Sequence, residues 1–172
     1  FDGGEERVLD IQLDPVTLDL LPKKRDRIPE WAVLGYSKCE MCPYDEASRN
    51  CCPIALNLTD LIETFSNKAS YEKVAARVIA GEREYLKRTT LQEALSSAIG
   101  IYMVTSGCPV MSILKPMVRH HLPFASLNET MFRTISTYLM AQYFLKQKGV
   151  EPDWELKKLL AAYGNIEALN KA

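Results

Sequence analysis

Cysteines carry the most legible chemistry in this chain of 172 residues: it has five, and the setting of four of them suits sulfur as a metal ligand. Cys39-Glu40-Met41-Cys42 is a Cys-x2-Cys knuckle, a turn that sets two sulfurs along one edge of a tetrahedron. Nine residues separate Cys42 from Cys52, which stands directly behind Cys51, and Cys108 lies far downstream. Three ligands close in sequence and a fourth from a remote element is a common make-up for structural zinc. Cys52 and Cys108 each precede a proline, Pro53 and Pro109, that suits the first position of a helix, where its missing amide hydrogen costs nothing. A sulfur so placed faces unpaired amides at a positive helix end, which favours thiolate over thiol. No acidic residue occurs between Ala94 and Asn128, whereas Lys115, Arg119, His120 and His121 do, and this adds to the same preference.

A metal site competes with disulfides, buried free thiols and a redox pair. The odd number of cysteines disfavours a pure disulfide framework. Pro43-Tyr44-Asp45-Glu46 after the knuckle reads as a loop, whereas a redox Cys-x2-Cys opens a helix. Metal therefore leads, held by Cys39, Cys42, Cys52 and Cys108, with Cys51 left over because Cys52 has the capping position. Zinc ranks before an iron-sulfur cluster, although Cys-Pro is also frequent at clusters, and the absence of any cofactor is the remaining case.

The segment Arg119-His120-His121-Leu122-Pro123-Phe124 is the other place where chemistry could reside. A neutral His121 imidazole could serve as ligand, base or thiolate partner for Cys108, and Arg119 and Arg133 could take an anion. Against this, a helix from Pro109 to His121 is ~18 Å long, so Cys108 and His121 stand at its opposite ends and His121 reads as a C-terminal cap. Residues 119–133 are then a contact surface for an anionic ligand or an acidic partner, weighed against an ordinary inter-helix connection. The Met and aromatic residues from Met103 to Phe144 read as core and not as a cofactor box, with a ligand or dimer surface as their other use.

The elements that must position these residues divide near Thr90, where the hydrophobic period changes from two to 3.6. Before it, Leu9, Ile11 and Leu13 alternate ahead of an Asp14-Pro15 turn and a return through Leu20, which predicts a half-solvated hairpin; Tyr71 to Ala80 and Arg83 to Arg88 predict another pair of strands. Residues 22–30 form a charged, proline-bounded connector. After it, Thr90-Leu91-Gln92-Glu93 and Ser126-Leu127-Asn128-Glu129 read as capping boxes that start helices. The first turns Leu91, Ala94, Leu95, Ala98, Ile99 and Tyr102 to the core, the second Met131, Ile135, Tyr138, Leu139 and Phe144. Further helices are expected from Pro53 to Phe65, from Pro109 to about His120 with a kink at Pro116, and from Trp154 to Ala172 with an interruption at Gly164.

The fold class is thus α+β: a small N-terminal antiparallel sheet of three to five strands, packed on a C-terminal group of four to six helices, with a cysteine-rich loop. A single domain, 1–172, is expected, divided into hairpin and connector (1–30), cysteine-rich loop (31–53), helix and strands (54–88) and helical part (89–172). With 47% hydrophobic residues the chain can bury a real core, and a net charge of −1 from 21 basic and 22 acidic residues gives no field for a nucleic-acid backbone. Ala94 to Leu114 has no charged residue and enough length to span a bilayer, but its serines, glycines and Pro109 make it a buried helix followed by a turn. The opening Phe1-Asp2-Gly3-Gly4 reads as a trimmed start, so localisation, cytoplasmic, rests on the cysteines.

Around the cysteines the chain resembles an uncharacterised family of bacterial domains of unknown function. The strings that carry the resemblance are Cys39-x2-Cys42-Pro43, Cys52-Pro53-Ile54-Ala55, Ser106-Gly107-Cys108-Pro109, Lys115-Pro116-Met117 and His121-Leu122-Pro123-Phe124-Ala125, with Glu129-Thr130, Tyr138-Leu139 and Gln142-Tyr143-Phe144. The resemblance implies no activity, substrate or cofactor. It makes His121 the matching histidine, leaves Cys51 unmatched and supports Cys39, Cys42, Cys52 and Cys108 as a set.

Two functions follow. The first is a non-enzymatic metal-binding module, with zinc as the metal, for sensing or interaction. The alternative is a metal- or thiol-dependent enzyme using Cys108 or a metal-bound water with His121 and Arg119. Four protein sulfurs close the shell of a structural zinc, whereas three plus water leave it open. An anionic ligand, a protein partner or a second copy are the candidate partners.

Overall fold

The structure, a computed structural model, describes residues 1, 4–23, 25 and 27–171. It is α+β. Helix α1 runs Pro53–Phe65, strands β1 Lys73–Ala80 and β2 Arg83–Thr90 form an antiparallel hairpin, and α2 Leu91–Val104, α3 Leu127–Gln147 and α4 Lys157–Leu169 follow. A 3-10 helix, Ser112–His120, lies between α2 and α3.

Local chemistry explains most boundaries. Cys52 caps α1 with Pro53 at its first position, as the proline signal predicts. The strand pair turns through Gly81 and Glu82; Gly81 has φ 60°, and a glycine in the left-handed region at the first turn position matches the twist of a two-residue hairpin. Thr90 ends β2 and at once caps α2, its hydroxyl accepting from the Glu93 amide at 3.4 Å. The capping box is only half formed there, because the Glu93 carboxylate takes the Thr89 hydroxyl instead of reaching back to Thr90. Ser126 and Glu129 form the full reciprocal box at α3. The hairpin lies against α2, so the sheet is packed on the helical part.

The structure corrects several sequence expectations. Among the described residues the sheet has two strands, not three to five, and it lies mid-chain. Residues 8–20 bend as expected but leave only an isolated Leu13–Leu20 bridge. The Asp14 carboxylate accepts the Val16 and Thr17 amides, and the Leu20 amide donates to the Thr105 carbonyl, so this arm spends its polar groups on its own turn and on the end of α2. Pro109 opens no α-helix. The Met111 amide closes a turn on the Cys108 carbonyl at 3.1 Å, and the chain then winds as a 3-10 helix through Pro116, whose missing amide cannot serve an α ladder. Helix α4 starts at Lys157 and runs through Gly164 without a break.

The burial of α3 also departs from its hydrophobic pattern. Met131 and Phe144 are exposed, while Thr134 and Gln142 are buried. The inner face runs Thr134, Tyr138, Gln142 at four-residue spacing and is polar because it joins neighbours by hydrogen bonds. Thr134 donates to the Met117 sulfur, Gln142 accepts the Asp153 amide at 2.9 Å, and the Tyr138 hydroxyl donates to the Asp153 carboxylate at 2.9 Å. That carboxylate also receives the Lys157 and Lys158 amides, so one aspartate caps α4 and fastens it to α3. Burial and the Asp153 charge push the Tyr138 phenol up to about 12.

The core cluster comprises Ile54, Val104, Cys108, Met111 and Ile166, which unites α1, α2, the turn after α2 and α4. Among the described residues no helix is long and apolar enough to cross a membrane, and the charge-free Ala94–Leu114 run ends its helix at Val104.

Candidate functional site

The cysteine loop is held at both ends. The Leu34 amide donates to the Asn50 carbonyl and the Cys52 amide to the Ala32 carbonyl, each at 2.9 Å, and Val33 bridges Cys51 antiparallel. These rungs close the loop 35–50 at its base, with Ala32 and Leu34 fully buried beneath it. At the knuckle the Cys42 amide turns back to the Cys39 carbonyl at 3.0 Å. The Tyr44 hydroxyl crosses to donate to the Gly107 carbonyl at 3.1 Å, one residue before Cys108, and the Arg49 guanidinium lies 4.8 Å over the Tyr44 ring. The loop and the Cys108 turn are therefore fastened to each other.

The turn itself is set by Gly107, whose φ of 80° suits glycine, and by Ser106, whose hydroxyl accepts the Cys108 amide at 3.2 Å while donating to the Met103 carbonyl. Cys108 is buried in the core cluster, and Cys52 packs against that cluster. Burial pushes the Cys39 thiol up, and the neighbouring Cys42, Cys108 and Cys52 thiols add to the rise. The Cys39 thiol thus feels the other three expected ligands. The Cys51 backbone pairs with Val33. All five cysteines are free of disulfides. As the side chains stand, no group of three or more His, Cys, Asp or Glu among the described residues is arranged to hold a metal ion.

The helix-end argument for the thiolates meets a different geometry. Cys52 caps α1 as expected, but no amide of that end is bonded to its side chain. Cys108 precedes a turn that the Met111 amide closes, and not an α-helix. Loop closure and the Tyr44–Gly107 bond tie the knuckle loop to the Cys108 turn.

The residues of the 119–133 segment do other work. Arg119 donates to the Pro15 carbonyl at 3.1 Å, and Arg133 to the His120 and Met117 carbonyls at 2.6 and 3.0 Å, so both guanidiniums brace backbone. The His121 amide closes the 3-10 helix on Val118. A cavity of about 140 Å³ between the 3-10 helix, α3 and α4 is lined by Leu114, Met117, Thr134, Tyr138 and Leu159, without either arginine or His121.

Burial, and then the nearby Arg133 charge, push the His121 imidazole below its ordinary value of 6.5. Protonation is thus disfavoured in the folded state, and the unfolded chain takes the proton first. Stability from this residue is present above about pH 6.5 and declines as pH falls towards the depressed folded value, below which the loss levels off. His121→Gln is expected to flatten that part of the curve, read as melting temperature against pH from 7.5 to 5. An acid decline identical to that of the unsubstituted chain would contradict it.

Sequence reasoning did not single out Tyr44 or Asp153. Tyr44 carries no spacing signal for a bond to residue 107, whereas Asp153 after Pro152 and before an amphipathic run is a readable helix-start signal. A family model described as "Domain of unknown function (DUF6901)" matches residues 1–172. No curated protein and no solved structure matches the chain.

Proposed function

We propose that this chain, which belongs to that family of domains of unknown function, is a non-enzymatic metal-binding module in which Cys39, Cys42, Cys52 and Cys108 close a structural zinc site. The observation that carries the reading is the Tyr44–Gly107 bond, which fastens the loop bearing the knuckle to the turn bearing Cys108, beside a core cluster that Cys52 also touches. The Cys39 thiolate is disfavoured by burial and by the other three cysteines, and a divalent cation converts their repulsion into attraction. Loading releases protons, so affinity falls as pH falls. It also asks the four side chains to re-aim at one point, ~2.3 Å from each sulfur.

Such a site serves architecture: it joins the loop, the start of α1 and the end of α2 into one surface for sensing or interaction. Reduced thiolate ligands suit a reducing compartment such as the cytoplasm of a bacterium. The enzyme reading gains no support, because Arg119 braces Pro15 and the charge beside His121 is Arg133.

Titration with cobalt(II) at pH 7.5 tests the ligand set. The unsubstituted chain and Cys51→Ser are expected to take up one equivalent with strong sulfur-to-metal absorption. Serine at 39, 42, 52 or 108 is expected to weaken uptake by about 100-fold or more. Equal uptake in all five variants, or none in the unsubstituted chain, would reject the reading.

A further inference from the structure

Helix α3 has an outer face that the fold leaves uncovered. From Thr134 to Leu145 the helix has no charged residue. Phe132, Ser136, Leu139, Met140 and Tyr143 recur at helical spacing on the side opposite Thr134, Tyr138 and Gln142. Phe132 is 73% exposed, Met140 62%, Tyr143 53% and the adjoining Phe144 57%. A solvated helix face normally carries charge, and this one carries aromatic rings.

The area and the charge pattern indicate the occupant. At roughly 200 Å² per large side chain, those four expose about 500 Å², the larger part of the ~800 Å² that each partner contributes to a stable interface. The face is neutral, so two copies meet without like-charge repulsion. Its ends are opposite in sign, with Glu129 in the first turn and Lys146 in the last. Antiparallel pairing about the helix centre sets Glu129 near Lys146 of the partner copy, opposes the helix dipoles, and places Phe132 across from Tyr143 with small Ser136 facing Leu139. Phe132, Ser136, Leu139 and Tyr143 then each meet a complement that the same helix provides.

We infer that the outer face of α3 is the interface of a two-fold symmetric homodimer formed by antiparallel pairing of α3 helices. This contact is independent of the cysteine site, which lies at the other elements. Sedimentation of the chain well above ~1 µM is expected to give twice the chain mass. Phe132→Glu is expected to weaken association by ~30-fold or more, the effect of losing an interface hot spot, with circular dichroism unchanged. Leu127→Glu, on the opposite side of the same helix, is expected to keep the doubled mass. If Phe132→Glu unfolds, Met140→Lys repeats the test on the same face. A single chain mass for the unsubstituted protein overturns the inference, whether or not it floats with lipid vesicles. A doubled mass that survives both face substitutions also overturns it.

Discussion

Cys108→Ser, or removal of metal from the unsubstituted chain with a chelator, is expected to lower the melting temperature by ~10 °C or more, against a few degrees for Cys51→Ser. Metal binding in small zinc peptides contributes ~10–16 kcal/mol, and a domain with a core of its own needs to lose only part of that to show such a shift. Cys108 is buried among Val104, Met111 and Ile166, so a serine hydroxyl there also costs about 1–3 kcal/mol of desolvation. Chelation separates the two causes. The unsubstituted chain should respond to the chelator, and Cys108→Ser, already without its site, should not. Equal melting temperatures with and without chelator would leave only the desolvation cost and remove metal from the account.

Leu34→Ala is expected to cost ~2–5 kcal/mol, and to expose the knuckle before it unfolds the helices. Leu34 is 1% exposed and its amide forms one of the rungs that close the cysteine loop, so its side chain anchors the base from which Cys39 and Cys42 are presented. Alkylation of Cys39 and Cys42, read by peptide mapping, should accelerate in Leu34→Ala at temperatures where the helical signal is intact. Leu34→Met should retain most of the stability, since a volume-conserving change costs less than ~1.5 kcal/mol. A loss below ~0.5 kcal/mol for the alanine variant would show that the loop base is held by backbone bonds alone.

Where a single residue type decides backbone geometry, the chain could be read directly. Proline at position 53, the hydroxyls of Thr90 and Ser126 and the glycine at 81 act locally, and α1, α2, α3 and the β1–β2 turn fall where these residues put them. Elements decided by tertiary partners were opaque. Residues 8–20 alternate like a strand, yet nothing local says that Leu20 will donate to Thr105 and not to a ladder. The hydrophobic pattern of α3 pointed Met131 and Phe144 inwards, whereas the buried side is chosen by hydrogen bonds from Thr134, Tyr138 and Gln142. The proposed cysteine set rests on knuckle spacing and Cys-Pro pairs, whereas the bonds that tie the loop to the Cys108 turn leave no such signal. Trp31-Ala32-Val33-Leu34 has no alternation to mark a rung with 50–52, and a phenol-to-carbonyl bond between residues 44 and 107 leaves no trace in spacing.

Elemental analysis of the chain, purified without added metal or chelator and read beside its absorption spectrum, tests the central claim most directly. One zinc per chain with no visible absorption, falling to none in Cys108→Ser and unchanged in Cys51→Ser, is the predicted result. A metal-free chain whose Cys39, Cys42, Cys52 and Cys108 all react as thiols in the folded state, and which takes up no zinc when it is offered, would contradict it.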